Sequence, residues 1–197
     1  MRCPGWPCDT PHAIYPQQWK NDPLVQPEAL LIDILSMPGF NICITGGEPT
    51  MQPEDTLHML AISLLNRGYT IDVFSNGSLK PFPAWMIANE QVSIILDWKL
   101  QGSGEARTGV DQRLANLGQL KGKDHVKFVV ATEDDFDQAV SLWKDLVQRT
   151  TATFWVGCAW KEYDEAHLVE RVLAERLPWR VNIQVHKFVW PGVQKGI

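Results

Sequence analysis

The sequence predicts an α/β fold: an open, partial barrel of about six mainly parallel strands with helices on the outside. Three observations predict it. Short apolar, strand-like runs alternate with amphipathic, helix-length stretches along the chain. Polar or glycine-bearing segments close most of the strands, as they do where a parallel sheet carries a site at its carboxyl edge. The strand count falls short of the ~8 that a closed barrel needs. With 197 residues the chain can bury a sizeable core. It reads as one domain over 1–197, with a loop over 1–25 and the partial barrel over 26–197.

Each element has a local reason. Residues 3 to 25 are rich in Pro, Gly and Asp without periodicity, which marks a functional loop. Gln26 to Met37 is an apolar-rich helix and Phe40 to Thr45 a short buried strand. Pro53 to Asn66 is an amphipathic helix with Leu57, Leu60, Ala61, Leu64 and Leu65 on one face, and Gly68 suits its C-terminal cap. Tyr69 to Phe74 is a strand that ends in the turn Ser75-Asn76-Gly77-Ser78. Pro81 and Pro83 confine Pro81 to Asn89 to a short, late-starting helix.

Val92 to Asp97 is a buried strand, Gly102 to Gly109 a glycine-rich loop, and Val110 to Leu120 a helix. Val126 to Ala131 is a strand. Thr132 with Asp135 forms a capping-box pattern that opens a helix with Phe136, Ala139, Val140, Trp143 and Val147 inward. Thr153 to Gly157 is a strand. Asp164 to Leu177 is a helix with Leu168, Val169, Val172 and Leu173 on one stripe. Trp179 to Val185 is the last strand, before an irregular tail.

Composition excludes several classes. A net charge of −5 without a basic block argues against nucleic acid. No run approaches the ~18 apolar residues of a membrane span. There is no apolar secretory region at the N-terminus, so the four cysteines point to a reducing, cytoplasmic setting in which thiols bind metal.

Two cysteine thiols, Cys3 and Cys8, stand in the opening loop, and Gly46-Gly47-Glu48-Pro49 follows the first strand. Thiolates on a loop hold iron, glycines let backbone approach a ligand, and a carboxylate receives an ammonium. In this order the two signals suit an iron–sulfur enzyme that uses S-adenosylmethionine. Each alone has a plainer reading. The cysteine loop also suits zinc or two free thiols, and the Gly-Gly-Glu-Pro segment suits a simple strand-to-helix turn. Cys43 and Cys158, inside apolar strands, read as small buried hydrophobes. Asp97-Trp98-Lys99 is either a surface ion pair or a cavity rim. Lys127 is balanced between a solvated rim and the site. His186 in Gln184-Val185-His186-Lys187 follows strand alternation, and a lone histidine is more often structural. Polar residues at four strand ends argue for one shared cavity.

Assembled, these segments resemble 7-carboxy-7-deazaguanine synthases, radical S-adenosylmethionine enzymes of 7-deazapurine (queuosine-type) biosynthesis. The matching segments are Cys8-Asp9-Thr10, Ile44 to Gln52, Ser75 to Ser78, Asp97-Trp98-Lys99 with Gly102-Ser103-Gly104, Lys127 to Val130, and Gln184 to Lys187 with Trp190 and Lys195-Gly196-Ile197. The resemblance implies a carbon–nitrogen lyase that converts 6-carboxy-5,6,7,8-tetrahydropterin to 7-carboxy-7-deazaguanine with loss of ammonia. It implies a 4Fe–4S cluster, S-adenosyl-L-methionine and Mg2+ as cofactors, a flavodoxin- or ferredoxin-type reductant, and a homodimer.

Carried onto this chain, it makes Cys3 and Cys8 cluster ligands and Thr10 a magnesium contact. Gly46, Gly47, Glu48, Asn76, Asp97 and Lys99 become cofactor contacts, and Ser75, Gly77, Gln184 and His186 substrate contacts. Family members carry an upstream Gln-Gly-Glu-Gly segment, an arginine, a first strand and a first cluster cysteine. The chain is expected to begin after these, and Pro4-Gly5-Trp6-Pro7 lengthens the cysteine loop relative to the family's. A glycyl-radical-type activating enzyme and a non-catalytic pterin-, nucleotide- or protein-binding remnant stay open as alternatives.

Overall fold

A computed structural model describes residues 25–191. The elements run α1 (Pro27–Ser36), β1 (Asn41–Ile44), α2 (Glu54–Leu65), β2 (Thr70–Ser75), α3 (Ala84–Ala88), β3 (Val92–Trp98), α4 (Val110–Leu117), β4 (His125–Val130), α5 (Glu133–Leu146), β5 (Thr153–Cys158), α6 (Glu165–Ala174), β6 (Arg180–Val181) and α7 (Val185–Val189). The six strands form one sheet in chain order, β1-β2-β3-β4-β5-β6. Every neighbouring pair is parallel. The expected open α/β architecture is therefore present.

That order settles which face is covered. Right-handed crossovers between successive strands laid down in one direction all return over the same side. The registers show the consequence. Ile71, Val92 and their row-mates Val73, Ile94, Leu96, Val126, Phe128, Phe154 and Val156 enter the core, together with Leu57, Ala61 and Leu64 of α2, Phe136 and Ala139 of α5, and Leu168 and Val172 of α6. The alternate row carries Asp72, Ser93, Asp97, His125, Lys127 and Trp155, all half-buried, and none of them belongs to the core cluster. β2 and β4 alternate in this way along their length, whereas the central β3 also buries Ile95 on the alternate row.

Local chemistry explains the helix starts. Thr132 accepts the Asp135 amide at the head of α5 (3.2 Å), and Asp164 accepts the His167 amide at the head of α6 (2.8 Å). The capping-box pattern is half fulfilled. Asp135 does not reach back to Thr132 but accepts the amides of Ala131 (3.1 Å) and Gly102 (2.8 Å). Its carboxylate thus fastens the loop after β3 to the end of β4.

Three expectations are corrected. The first strand is not buried: Asn41 and Cys43 of β1 are exposed, because β2 is its one partner among the described residues. Leu173 points outward at 70% exposure, and the α6 stripe is carried by Leu168 and Val172. The last strand is far shorter than Trp179 to Val185. After Val181, the Asn182 amide still bonds Val156 O (2.7 Å), then a tight turn closed by the Val185 amide on Ile183 O (2.9 Å) leads into α7. His186 therefore sits on a one-turn helix and not at a strand end.

Phe128 is fully buried against Phe154 and Trp179 at ring centroid distances of 6.0 and 5.6 Å. Phe128→Ala is expected to cost about 3–5 kcal/mol in urea unfolding. Leu173→Ala is expected to stay within about 0.5 kcal/mol, as for an exposed position.

Candidate active site

The carboxyl edge of β1 to β3 is organised around one buried carboxylate. Glu48 is 8% exposed. Its Oε1 accepts the Thr50 amide (3.2 Å), the Thr50 hydroxyl (2.8 Å) and the Ser75 hydroxyl (2.6 Å), and its Oε2 accepts the Asn76 amide (2.9 Å). Burial without these donors would be costly for an ionised group. With them, Glu48 ties the end of β1 to the end of β2. A carboxylate has about four lone-pair directions. Oε1 is crowded, while Oε2 has one donor and a direction to spare.

The preceding glycines have the backbone that a close-approach loop needs. Gly46 and Gly47 have φ of +85° and +60°, and a Cβ on Gly46 would meet nothing within 4 Å. The segment is thus left-handed and open beside Gly46, a place where ligand can meet main chain.

The turn after β2 is fully engaged. Gly77 donates to Ser75 Oγ (3.1 Å), and Ser78 donates its amide (2.9 Å) and its hydroxyl to Asn76 Oδ1. Gly77 has φ of +62°, and a Cβ there would lie 2.4 Å from Leu96 Cδ1. Ser75 is buried, and its hydroxyl donates to Glu48 Oε1 and accepts the Gly77 amide.

At the end of β3, Lys99 Nζ meets Asp97 Oδ2 at 2.5 Å, with side-chain exposures of 15% and 26%. The pair is therefore not a solvated surface bridge. Asp97 Oδ1 is buried with no hydrogen-bond partner among the described residues. Such an atom is an acceptor awaiting a donor.

The open face of the sheet below this edge is electrically connected. Register places Cys43, Asp72 and Ser93 in one row and Asp97, Lys127, Trp155 and Arg180 in another. Desolvation by the protein around its sulfur raises the Cys43 thiol although the residue is exposed at the sheet edge; Asp72 adds to this and Lys127 opposes it. Burial lowers His125 from its ordinary 6.5, and Arg180 adds to this while Asp72 and Asp124 oppose it. The His125 ring stacks on Trp155 at 4.1 Å and its Nδ1 lies 2.6 Å from Thr153 Oγ1. Lys127 Nζ stands 5.6 Å from the Phe74 ring centre.

Gly46, Gly47, Glu48, Ser75, Asn76 and Gly77 are thus brought together, with Asp97 and Lys99 on the next strand end. Gln184 and His186 follow β6, at the opposite edge of the sheet, and His186 is exposed. Cys3, Cys8 and Thr10 lie outside the described residues. Among the described residues no group of three or more His, Cys, Asp and Glu side chains could hold a metal ion. Cys158 is a buried thiol pushed up to about 12, first by burial and then by Glu165 and Asp164, so it stays protonated. No helix among the described residues is long and apolar enough to cross a membrane.

Two contributors were not singled out in the sequence. Arg113 and Asn116 of α4 are fully buried and bond the turn after β2. Their signal was a polar pair at helical spacing on the face that also carries Leu117 and Leu120.

A 7-carboxy-7-deazaguanine synthase from Methanospirillum hungatei is 32% identical over 182 residues, which are 92% of this chain and 70% of that protein. The chain belongs to the 7-carboxy-7-deazaguanine synthase family. A member from Thermoplasma acidophilum is 29% identical over 200 residues, 98% of this chain and 86% of that one. A member from Koribacter versatilis is 27% identical over 173 residues, 81% and 73% respectively. The crystal structure of QueE from Escherichia coli matches with a TM-score of 0.56 at 19% identity, over 81% of this chain and 64% of that chain. That likeness concerns the fold. No protein-family model matches the chain.

Glu48→Gln puts an amide against four hydrogen-bond donors. It is expected to destabilise the protein by about 1–3 kcal/mol, read as a lower urea midpoint with unchanged slope. His125 supplies a pH test. Its folded value lies below its unfolded value, so stability is whole above pH 6.5 and falls as pH drops below it toward the folded value. His125→Phe keeps a ring on Trp155 and should flatten that part of the stability–pH curve; an identical slope in both proteins contradicts the assignment.

Proposed function

We propose that this chain is a radical S-adenosylmethionine lyase that converts 6-carboxy-5,6,7,8-tetrahydropterin to 7-carboxy-7-deazaguanine with loss of ammonia. The observation that carries the reading is the Glu48 clamp. In a member of this family, it joins the Gly-Gly-Glu-Pro segment to the Ser75–Ser78 turn through direct hydrogen bonds.

The described residues fit S-adenosylmethionine. The open main chain at Gly46 offers a cradle, Glu48 Oε2 has room for an ammonium donor, and Asp97 Oδ1 lacks a donor among the described residues. Lys99 adds a positive charge beside Asp97 to face a carboxylate. Asn76 contributes a side-chain amide between cofactor and pterin. Gly77 keeps that turn tight, since any side chain there would collide with Leu96. Gln184 and His186 would approach the pterin's polar edge from the far side of the sheet.

Cys3 and Cys8 would offer thiolates to the 4Fe–4S cluster, and Thr10 an oxygen to Mg2+, a hard cation. Cluster and S-adenosylmethionine together supply the one-electron chemistry that removes a hydrogen atom from the pterin. A flavodoxin- or ferredoxin-type protein would deliver the electron. The exposed Val185, Phe188, Val189 and Trp190 of the C-terminal region suit the homodimer surface expected of the family.

Anaerobic reconstitution with iron and sulfide, followed by dithionite, S-adenosylmethionine and the carboxytetrahydropterin, is expected to give 7-carboxy-7-deazaguanine with 5′-deoxyadenosine. The Cys8→Ala variant is expected to lose bound iron. Deoxyadenosine without the deazaguanine would overturn the substrate assignment, and unchanged iron in the variant would overturn the ligand assignment.

A further inference from the structure

The turn Ser75-Asn76-Gly77-Ser78 has an unusual hydrogen-bond inventory. The Asn76 amide donates to Glu48, and the Gly77 amide donates to Ser75. The Asn76 carbonyl accepts Arg113 Nε (3.0 Å), and the Gly77 carbonyl accepts Asn116 Nδ2 (2.9 Å). Asn76 Oδ1 accepts both donors of Ser78. Every main-chain polar group of Asn76 and Gly77 is therefore bonded to protein. Among the described residues, the side-chain Nδ2 of Asn76 is the polar group of these two residues left to meet a ligand. Its direction is set, because Oδ1 is held by two donors and the amide cannot flip without losing both.

Arg113 and Asn116 do this from beneath. They lie three residues apart on α4, on one face, and both are fully buried. Arg113 reaches three carbonyls with its planar fork: Asn76, Thr108 (3.0 Å) and Ala106 (3.4 Å). Its guanidinium lies 5.5 Å from the centre of the Trp98 ring, next to the Asp97–Lys99 pair in sequence. Asn116 also donates to Lys80 O (3.0 Å) and accepts the Phe82 amide (3.0 Å). A buried guanidinium bonded here to carbonyls and not to a carboxylate is expensive for stability alone. A plain core would use a leucine at this position.

We infer that Arg113 and Asn116 are positioning residues: they draw the carbonyls of Asn76 and Gly77 inward so that the Asn76 side-chain amide faces the bound S-adenosylmethionine as a fixed donor. This rests on the proposed function for the ligand, but not for the geometry of the turn. Lysine cannot replace arginine here, because one ammonium on a flexible stem cannot span three carbonyls.

The test uses the full chain and two readouts. In the Arg113→Lys variant, hydrogen exchange at the Gly77 and Ser78 amides should quicken about tenfold while the core strands keep their protection. In reconstituted protein, the dissociation constant for S-adenosylmethionine should rise about tenfold. Asn76→Ala should weaken binding similarly, and the double variant should be no weaker than either alone, since both act through one amide. Additive losses, or unchanged exchange in a folded Arg113→Lys variant, would overturn the inference. Should that variant not fold, Asn116→Ser frees the Gly77 and Lys80 carbonyls without touching Arg113, and the same two outcomes decide. If the unmodified protein binds no S-adenosylmethionine, the functional reading fails, and the exchange readout still decides whether Arg113 holds the turn.

Discussion

A sheet whose six parallel strands follow chain order can be covered on one face only by its own crossovers, and most of this structure follows from that constraint. The helix-side row is apolar and closed. The opposite row is free to be polar, and it holds a thiol, carboxylates, an imidazole and an ammonium at close quarters. Partial burial of such a group shifts its ionisation, as at His125.

The rim of this face is held by buried carboxylates that accept main-chain amides. Glu48 joins the ends of β1 and β2. Asp135 joins the loop after β3 to the end of β4. Asp124, fully buried at the other end of the sheet, accepts the amides of Ile94 and Lys121 (2.9 and 2.8 Å). Parallel strands end in loops whose amides have lost their ladder partners. An acidic side chain from a nearby loop or helix start satisfies such amides at Asn76, Gly102 and Ala131 and ties neighbouring segments together.

Much of this was legible along the chain. The helices over 54–65, 133–146 and 165–174 declared themselves through apolar spacing and, in two of the three, side-chain caps. The Gly-Gly-Glu-Pro and Ser-Asn-Gly segments stood out because glycine at a strand end calls for a backbone reason. The edges were less legible. β1 and the segment 179–185 carry apolar residues as strands do, yet β1 and β6 each have one partner among the described strands, so one is exposed and the other stops after Val181. Leu173 shows the same limit, since periodicity identifies a stripe but not its width.

The sequence by itself determined the alternation of strand and helix, the polar strand ends and the family segments, because each is a local pattern of residue types. Tertiary structure alone decided that Glu48 faces Ser75 and Asn76, that Arg113 and Asn116 reach the same turn, and that Ser75 is occupied within the protein. These partners lie 27 to 39 residues apart. Their meeting depends on strand register and helix placement, which local spacing does not encode.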